Sequence, residues 1–108
     1  MPENNPVQYR QGDVFIELVE SIPENTTPIK REHGAVILAH GEVTGHYHGI
    51  KNRVAKFYQA ESGERFLDLS KPSDLTHQEH ATITLPPGKY RVRQQREYTP
   101  EAIRNVAD

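Results

Sequence analysis

Cysteine is absent from the 108-residue chain, which excludes disulfides, thiolate metal sites and a cysteine nucleophile together. The compartment stays open on that ground, because a cysteine-free chain survives in either redox state. Hydrophobic residues are few at 34% and aromatics fewer at 7%, so burial per residue is modest. A homo-oligomer is one way for so lean a domain to hide apolar surface. No run approaches about 18 consecutive apolar residues, the length a membrane-spanning helix requires. The opening Met1-Pro2-Glu3-Asn4-Asn5-Pro6 lacks a basic stretch followed by an apolar one, which predicts a cytoplasmic protein with no membrane partner. Neither sign of charge dominates, with 13 basic residues against 15 acidic ones. No global field therefore draws the chain to nucleic acid or anionic lipid, although a local basic patch leaves nucleic acid open as a partner.

What is present points to strands. The length fits a single domain over residues 1–108. Eight prolines and seven glycines suit a turn-rich β domain better than a helical bundle. Over residues 12–19, Val14, Ile16 and Leu18 fall on one face at period two. Residues 21–28 hold two prolines, an asparagine and two threonines, a loop by composition. Further strands are expected near residues 35–40, from His46, and at 54–60, 65–69, 80–85 and 89–95. Turns are expected at Glu61-Ser62-Gly63-Glu64, Lys71-Pro72-Ser73-Asp74 and Pro86-Pro87-Gly88. Six or seven short strands without intervening helical periods predict an all-β barrel or double-stranded roll. Residues 1–10 read as an N-terminal arm. Thr99 as cap, Pro100 at the first helical position and Glu101 in the first turn predict a short helix over 99–107.

The histidines carry the chemistry. His40, His46 and His48 fall within nine residues, and His77 and His80 are three apart. On a strand, His46 and His48 project into one space, with Tyr47 on the other side. The connection Gly41-Glu42-Val43-Thr44-Gly45 would close a hairpin with His40 opposite His46 and Leu38 opposite His48, bringing His40 to the same face. Two neutral imidazoles so placed suit zinc, iron, nickel, copper or manganese. A partner from His40, His77, Glu79 or His80 would leave a position open for catalysis. An isolated H-x-H equally suits hydrogen-bonded surface histidines; the second cluster and the flanking glycines favour a site. The alternation of Ala81, Ile83 and Leu85, carried backwards, turns His77 and Glu79 inward and His80 outward unless a bulge intervenes.

Histidines after a glycine turn, a following strand and then Pro86-Pro87-Gly88 resemble the cupin barrel, whose two motifs carry H-x-H and P-x-G. The resemblance implies a double-stranded β-roll and carries over His46 and His48 as ligands. The chain departs from the pattern elsewhere. Four residues separate Gly41 from His46 where five are usual, the next glutamate after His48 is Glu61, Arg91 stands in the histidine position, and Gln95 replaces an asparagine. A third ligand must then come from His77, Glu79 or His80. Gln11-Gly12-Asp13, the GEVTGHxH hairpin and Gln95-Arg96-Glu97-Tyr98 also resemble a set of small bacterial and phage-type proteins, a likeness that implies no activity.

Three functions follow as expectations. The first is a metal-binding, cupin-like protein in which His46 and His48 are the central and catalytic pair, acting on a small or phosphate-containing ligand through a divalent Zn, Fe, Mn or Ni ion. The second is a metal-independent phosphodiesterase or ribonuclease using His46 and His48 as base and acid on RNA or a nucleotide. Lys89, Arg91 and Arg93, which alternate onto one strand face, could then steady a phosphate. The third is a non-enzymatic ligand-binding or assembly module in which the histidines are structural.

Overall fold

The computed structural model describes residues 7–41 and 45–95 and contains ten strands and no helix over that range. They are β1 (Gln8–Gln11), β2 (Val14–Val19), β3 (Thr26–Pro28), β4 (Val36–His40), β5 (Tyr47–Ile50), β6 (Lys56–Ala60), β7 (Arg65–Leu69), β8 (Ser73–Thr76), β9 (Ile83–Leu85) and β10 (Gly88–Gln94). The all-β class is as expected, with more and shorter strands than periodicity suggests. The segment assigned to an arm supplies β1, the composition-defined loop supplies β3, and Ser73-Asp74 opens β8 where a turn was expected. The expected helix over 99–107 lies outside the described residues.

Every pairing is antiparallel, in a six-stranded sheet ordered β1-β2-β10-β7-β6-β3 and a four-stranded sheet ordered β4-β5-β8-β9. Period-two alternation in β2 and β10 gives the large sheet one apolar face, whereas β4 is buried continuously over Val36, Ile37, Leu38 and Ala39. Val14 and Ile16 of β2, Tyr90 and Val92 of β10, and Leu67 and Leu69 of β7 meet Val36 and Leu38 of β4, Ile50 of β5, Leu75 of β8 and Leu85 of β9 in a single core. Tyr90 is buried in that core to 1% exposure, and its hydroxyl donates to the Pro86 carbonyl at 2.7 Å, so the ring is buried without stranding its polar end.

Two departures from ideal pairing place the site. In the β4–β5 hairpin, Val36↔Ile50 and Ile37↔Gly49 keep the expected register, whereas Ala39↔His48 and His40↔Tyr47 are displaced by one. Leu38 is the extra residue of a β-bulge, and its freed carbonyl accepts a hydrogen bond from Arg65 Nη1 at 2.6 Å. One residue of slip moves a side chain to the other face. His40 therefore sits opposite Tyr47 with its side chain 67% exposed and 3.9 Å from Glu32, which corrects the expectation that it joins His46 and His48.

The second departure is the turn between β1 and β2. Gln11 pairs with Val14, leaving Gly12 and Asp13 as a two-residue connection with positive φ (59°) at Gly12 alone, the pattern of a type II′ turn. Asp13 is thereby lifted to the rim of the core, beside β5.

Candidate functional site

A pocket at this end of the molecule is lined by Asp13, His46, His48, His77, Glu79 and His80, and also by Arg10 and Phe15 of the β1–β2 hairpin. Five of the six expected site residues are thus brought together, and His40 is not. The β5–β8 ladder accounts for much of the convergence. Gly49 pairs with Thr76, and one step further along His48 meets His77, with ring centroids 4.3 Å apart. Beyond Thr76 the chain leaves the strand, and residues 77–82 form a bend that joins β9. Strand parity therefore does not apply there. His80 stands beside His77 at the pocket, their centroids 4.6 Å apart, although it is itself exposed, as is Glu79, whose side chain is 63% exposed. Gln78 anchors the bend by accepting from the Tyr47 amide at 2.9 Å. His77 also meets His46 at 5.7 Å, and Glu79 lies 3.7 Å from His46 Nδ1.

His48 is the best-defined member. It is 1% exposed, and its Nδ1 lies 2.8 Å from Gln11 Oε1. The Gln11 amide nitrogen donates to the carbonyls of Leu75 (3.0 Å) and Ala81 (2.9 Å), which settles the amide orientation. Gln11 Oε1 must therefore accept, His48 Nδ1 must carry the proton, and the lone pair is on Nε2. That nitrogen faces Asp13 Oδ1 at 3.6 Å. Asp13 is itself held, because its Oδ2 accepts from Gln94 Nε2 at 3.1 Å and its carbonyl from the Gln95 amide at 2.8 Å. Burial, reinforced by His77 and His80 and opposed by Asp13, lowers the His48 pKa to about 4. Burial and the neighbouring His80 and His46 also lower that of His77. At neutral pH both rings are uncharged, the form that binds a cation.

His77 adopts the opposite tautomer from His48, because the Glu79 amide donates to its Nδ1 at 3.0 Å and leaves the proton on Nε2. As they stand, no three His, Asp or Glu side chains among the described residues are disposed to hold a metal ion. The donor set nonetheless has the chemistry for one. Two ligand atoms each about 2.1 Å from a tetrahedral ion are about 3.4 Å apart, close to the 3.6 Å between His48 Nε2 and Asp13 Oδ1.

Gly12 is required by this arrangement. A Cβ there would stand 2.7 Å from His80 Nε2 and 3.3 Å from His48 Cε1. Gly12→Ala is expected to destabilise the domain by about 1–2 kcal/mol through its left-handed backbone alone and to displace His80 further. Calorimetric unfolding reads the first effect, and the His80 ring resonances in an NMR spectrum read the second.

The phosphate-steadying set is dispersed. Lys89, Arg91 and Arg93 do share a face, but none lines the pocket, and Arg91 is ion-paired with Glu17 and with Glu64. Neither Gln11 nor Asp13 has a role legible in the sequence pattern. The available signal was Gln11 itself, an amide at a position whose parity turns it into the core, followed by a Gly-Asp turn.

Among the described residues no helix is long and apolar enough to cross a membrane. No curated protein and no solved structure matches the chain. A family model matches residues 10–95, a span that includes every pocket residue named above, and the chain belongs to that family, a domain of unknown function (DUF8820).

Proposed function

We propose that this domain binds a divalent transition-metal ion between His48 Nε2 and Asp13 Oδ1. His80 and one of His46 and His77 turn in to complete the set. The observation that carries the reading is the facing pair itself: His48 Nε2 and Asp13 Oδ1 3.6 Å apart, each held from behind by a glutamine amide. Such a pair calls for a cation. Partners that fix a ligand's tautomer and direction are what a metal-binding imidazole or carboxylate needs. His80 is exposed and turns at little cost, whereas His77 must give up the Glu79 amide to bind through Nε2. The likeness to cupins, through His46-Tyr47-His48, supports the same chemistry. Once bound, the ion would act as a Lewis acid toward a small oxygen-bearing ligand. Zinc, iron, manganese and nickel all suit the imidazole and carboxylate donors.

The test is a titration of chelator-treated protein with Zn²⁺, Co²⁺, Ni²⁺, Mn²⁺ and Fe²⁺, followed by calorimetry and thermal unfolding. One ion per chain is expected. At a hundredfold excess over Kd, binding adds about 2.7 kcal/mol, which raises Tm by about 10–20 °C in a domain of this size. His48→Ala and Asp13→Asn should each abolish the shift. If none of the five ions binds or stabilises the wild-type chain, the reading fails.

A second reading rests on the tautomers. His48 offers a lone pair on Nε2 and His77 an N–H on Nε2, with their rings 4.3 Å apart, so one could take a proton while the other steadies an oxyanion. Cleavage of RNA or a cyclic nucleotide that resists EDTA and is lost in His48→Ala would select this reading over the first.

A further inference from the structure

The lining of the pocket carries a charge that the site chemistry leaves unused. Arg10 is on β1, directly opposite Phe15 of β2, which in turn is directly opposite Arg93 of β10, so the three side chains share the outer face of the large sheet. The Arg10 guanidinium carbon lies 5.2 Å from the Phe15 ring centroid and that of Arg93 lies 5.9 Å from it. Two like charges gathered over one ring repel each other unless a counter-charge is supplied. On the same strand Arg91 has Glu17 and Glu64. Among the described residues neither Arg10 nor Arg93 has a carboxylate partner.

Arg10 is also fixed in direction. Its Nε donates to the Gly12 carbonyl at 2.8 Å, and the group lies over the Phe15 ring, which leaves both terminal nitrogens of this pocket-lining residue as donors. The acidic groups that line the pocket are the carboxylates of Asp13 and Glu79. A divalent ion would balance the two carboxylates, and the charge of Arg10 would be left over. From this we infer that the pocket takes a small ligand bearing an oxyanion, which Arg10 binds through paired N–H donors while the rest of the ligand reaches the metal. The inference rests on the metal reading, since without the cation Asp13 and Glu79 would repel an anion. Carboxylate and phosphate share the required chemistry, flat or tetrahedral oxygens accepting two parallel N–H bonds.

Cobalt-loaded protein tests this through its visible absorption bands. Wild type and Arg10→Gln are first titrated with Co²⁺, then with acetate, inorganic phosphate and uncharged acetamide. The expected result is equal Co²⁺ affinity in the two proteins, a spectral response to acetate or phosphate but not to acetamide, and anion binding about tenfold or more weaker in Arg10→Gln. Arg10→Lys should recover part of the loss, because it restores the charge without the fork. Whichever anion binds more tightly identifies the source of the oxyanion. Undiminished anion binding by Arg10→Gln, or a response to acetamide matching that to acetate, overturns the inference and leaves the metal site standing. Failure of the wild type to bind Co²⁺ overturns both.

Discussion

Gln11→Ala destabilises the domain by about 3 kcal/mol or more, a large share of the roughly 5–15 kcal/mol that holds a small domain folded. The side chain is 2% exposed and makes three hydrogen bonds, donating to Leu75 and Ala81 and accepting from His48. Truncation strands two buried partners, the Leu75 carbonyl and the His48 ring N–H, at about 1–3 kcal/mol each, while the Ala81 carbonyl, on an exposed residue, turns to water. The bonds also join β1 of the large sheet to β8 and the bend of the small one, so their loss loosens both the packing between the sheets and the aim of His48. Urea unfolding measures the cost, and a fall in Tm of about 12–24 °C is expected. Gln11→Leu keeps the volume and should also lose stability, since it satisfies none of the three groups. Gln8→Ala, three residues away on the same strand and exposed, should stay within about 0.5 kcal/mol of wild type. Indistinguishable effects at Gln11 and Gln8 would dismiss the network.

Metal-free protein also loses stability on acidification, and His48 sets the window. Its pKa is about 4 in the folded chain and 6.5 in the unfolded one. Between those values the unfolded chain binds a proton that the folded chain does not, so lowering the pH favours unfolding. The contribution of His48 is fully present above pH 6.5 and declines by about 1.4 kcal/mol per pH unit until the folded ring protonates, about 3 kcal/mol in all. His77, lowered in the same direction, adds to the slope. The diagnostic range is pH 6.5 to 5, above the ordinary carboxylate range, where about 2 kcal/mol should be lost. Denaturant unfolding at half-unit steps in EDTA reads it. His48→Leu should flatten most of the slope, and a wild-type curve that is level across this range would contradict a buried neutral His48.

The strands legible from sequence are those whose side chains alternate. Val14, Ile16 and Leu18 announce β2, and Arg65–Leu69 has the expected bounds, because a half-buried strand imprints period two on its residues. β1, β3 and β8 carry no such imprint. Gln8-Tyr9-Arg10-Gln11 is mostly polar, Thr26-Thr27-Pro28 ends in a proline, and Ser73 follows a Lys-Pro pair that reads as a turn. These segments are strands because a neighbouring backbone offers them a ladder, which is a property of the partner.

The candidate site divides in the same way. The sequence by itself determined an all-β class and the absence of thiol chemistry, since these follow from composition and from the two-residue period of a strand. Tertiary structure decided the rest. A bulge at Leu38 turned His40 away, a bend where a strand was expected set His77 and His80 side by side at the pocket, and a type II′ turn delivered Asp13. Gln11 reached His48 across 37 residues of chain. Periodicity reports which face a residue occupies within its own element. A site assembled from a hairpin tip, a bend and two sheets depends on how those elements meet, and that is settled by packing and hydrogen bonding between residues far apart in sequence.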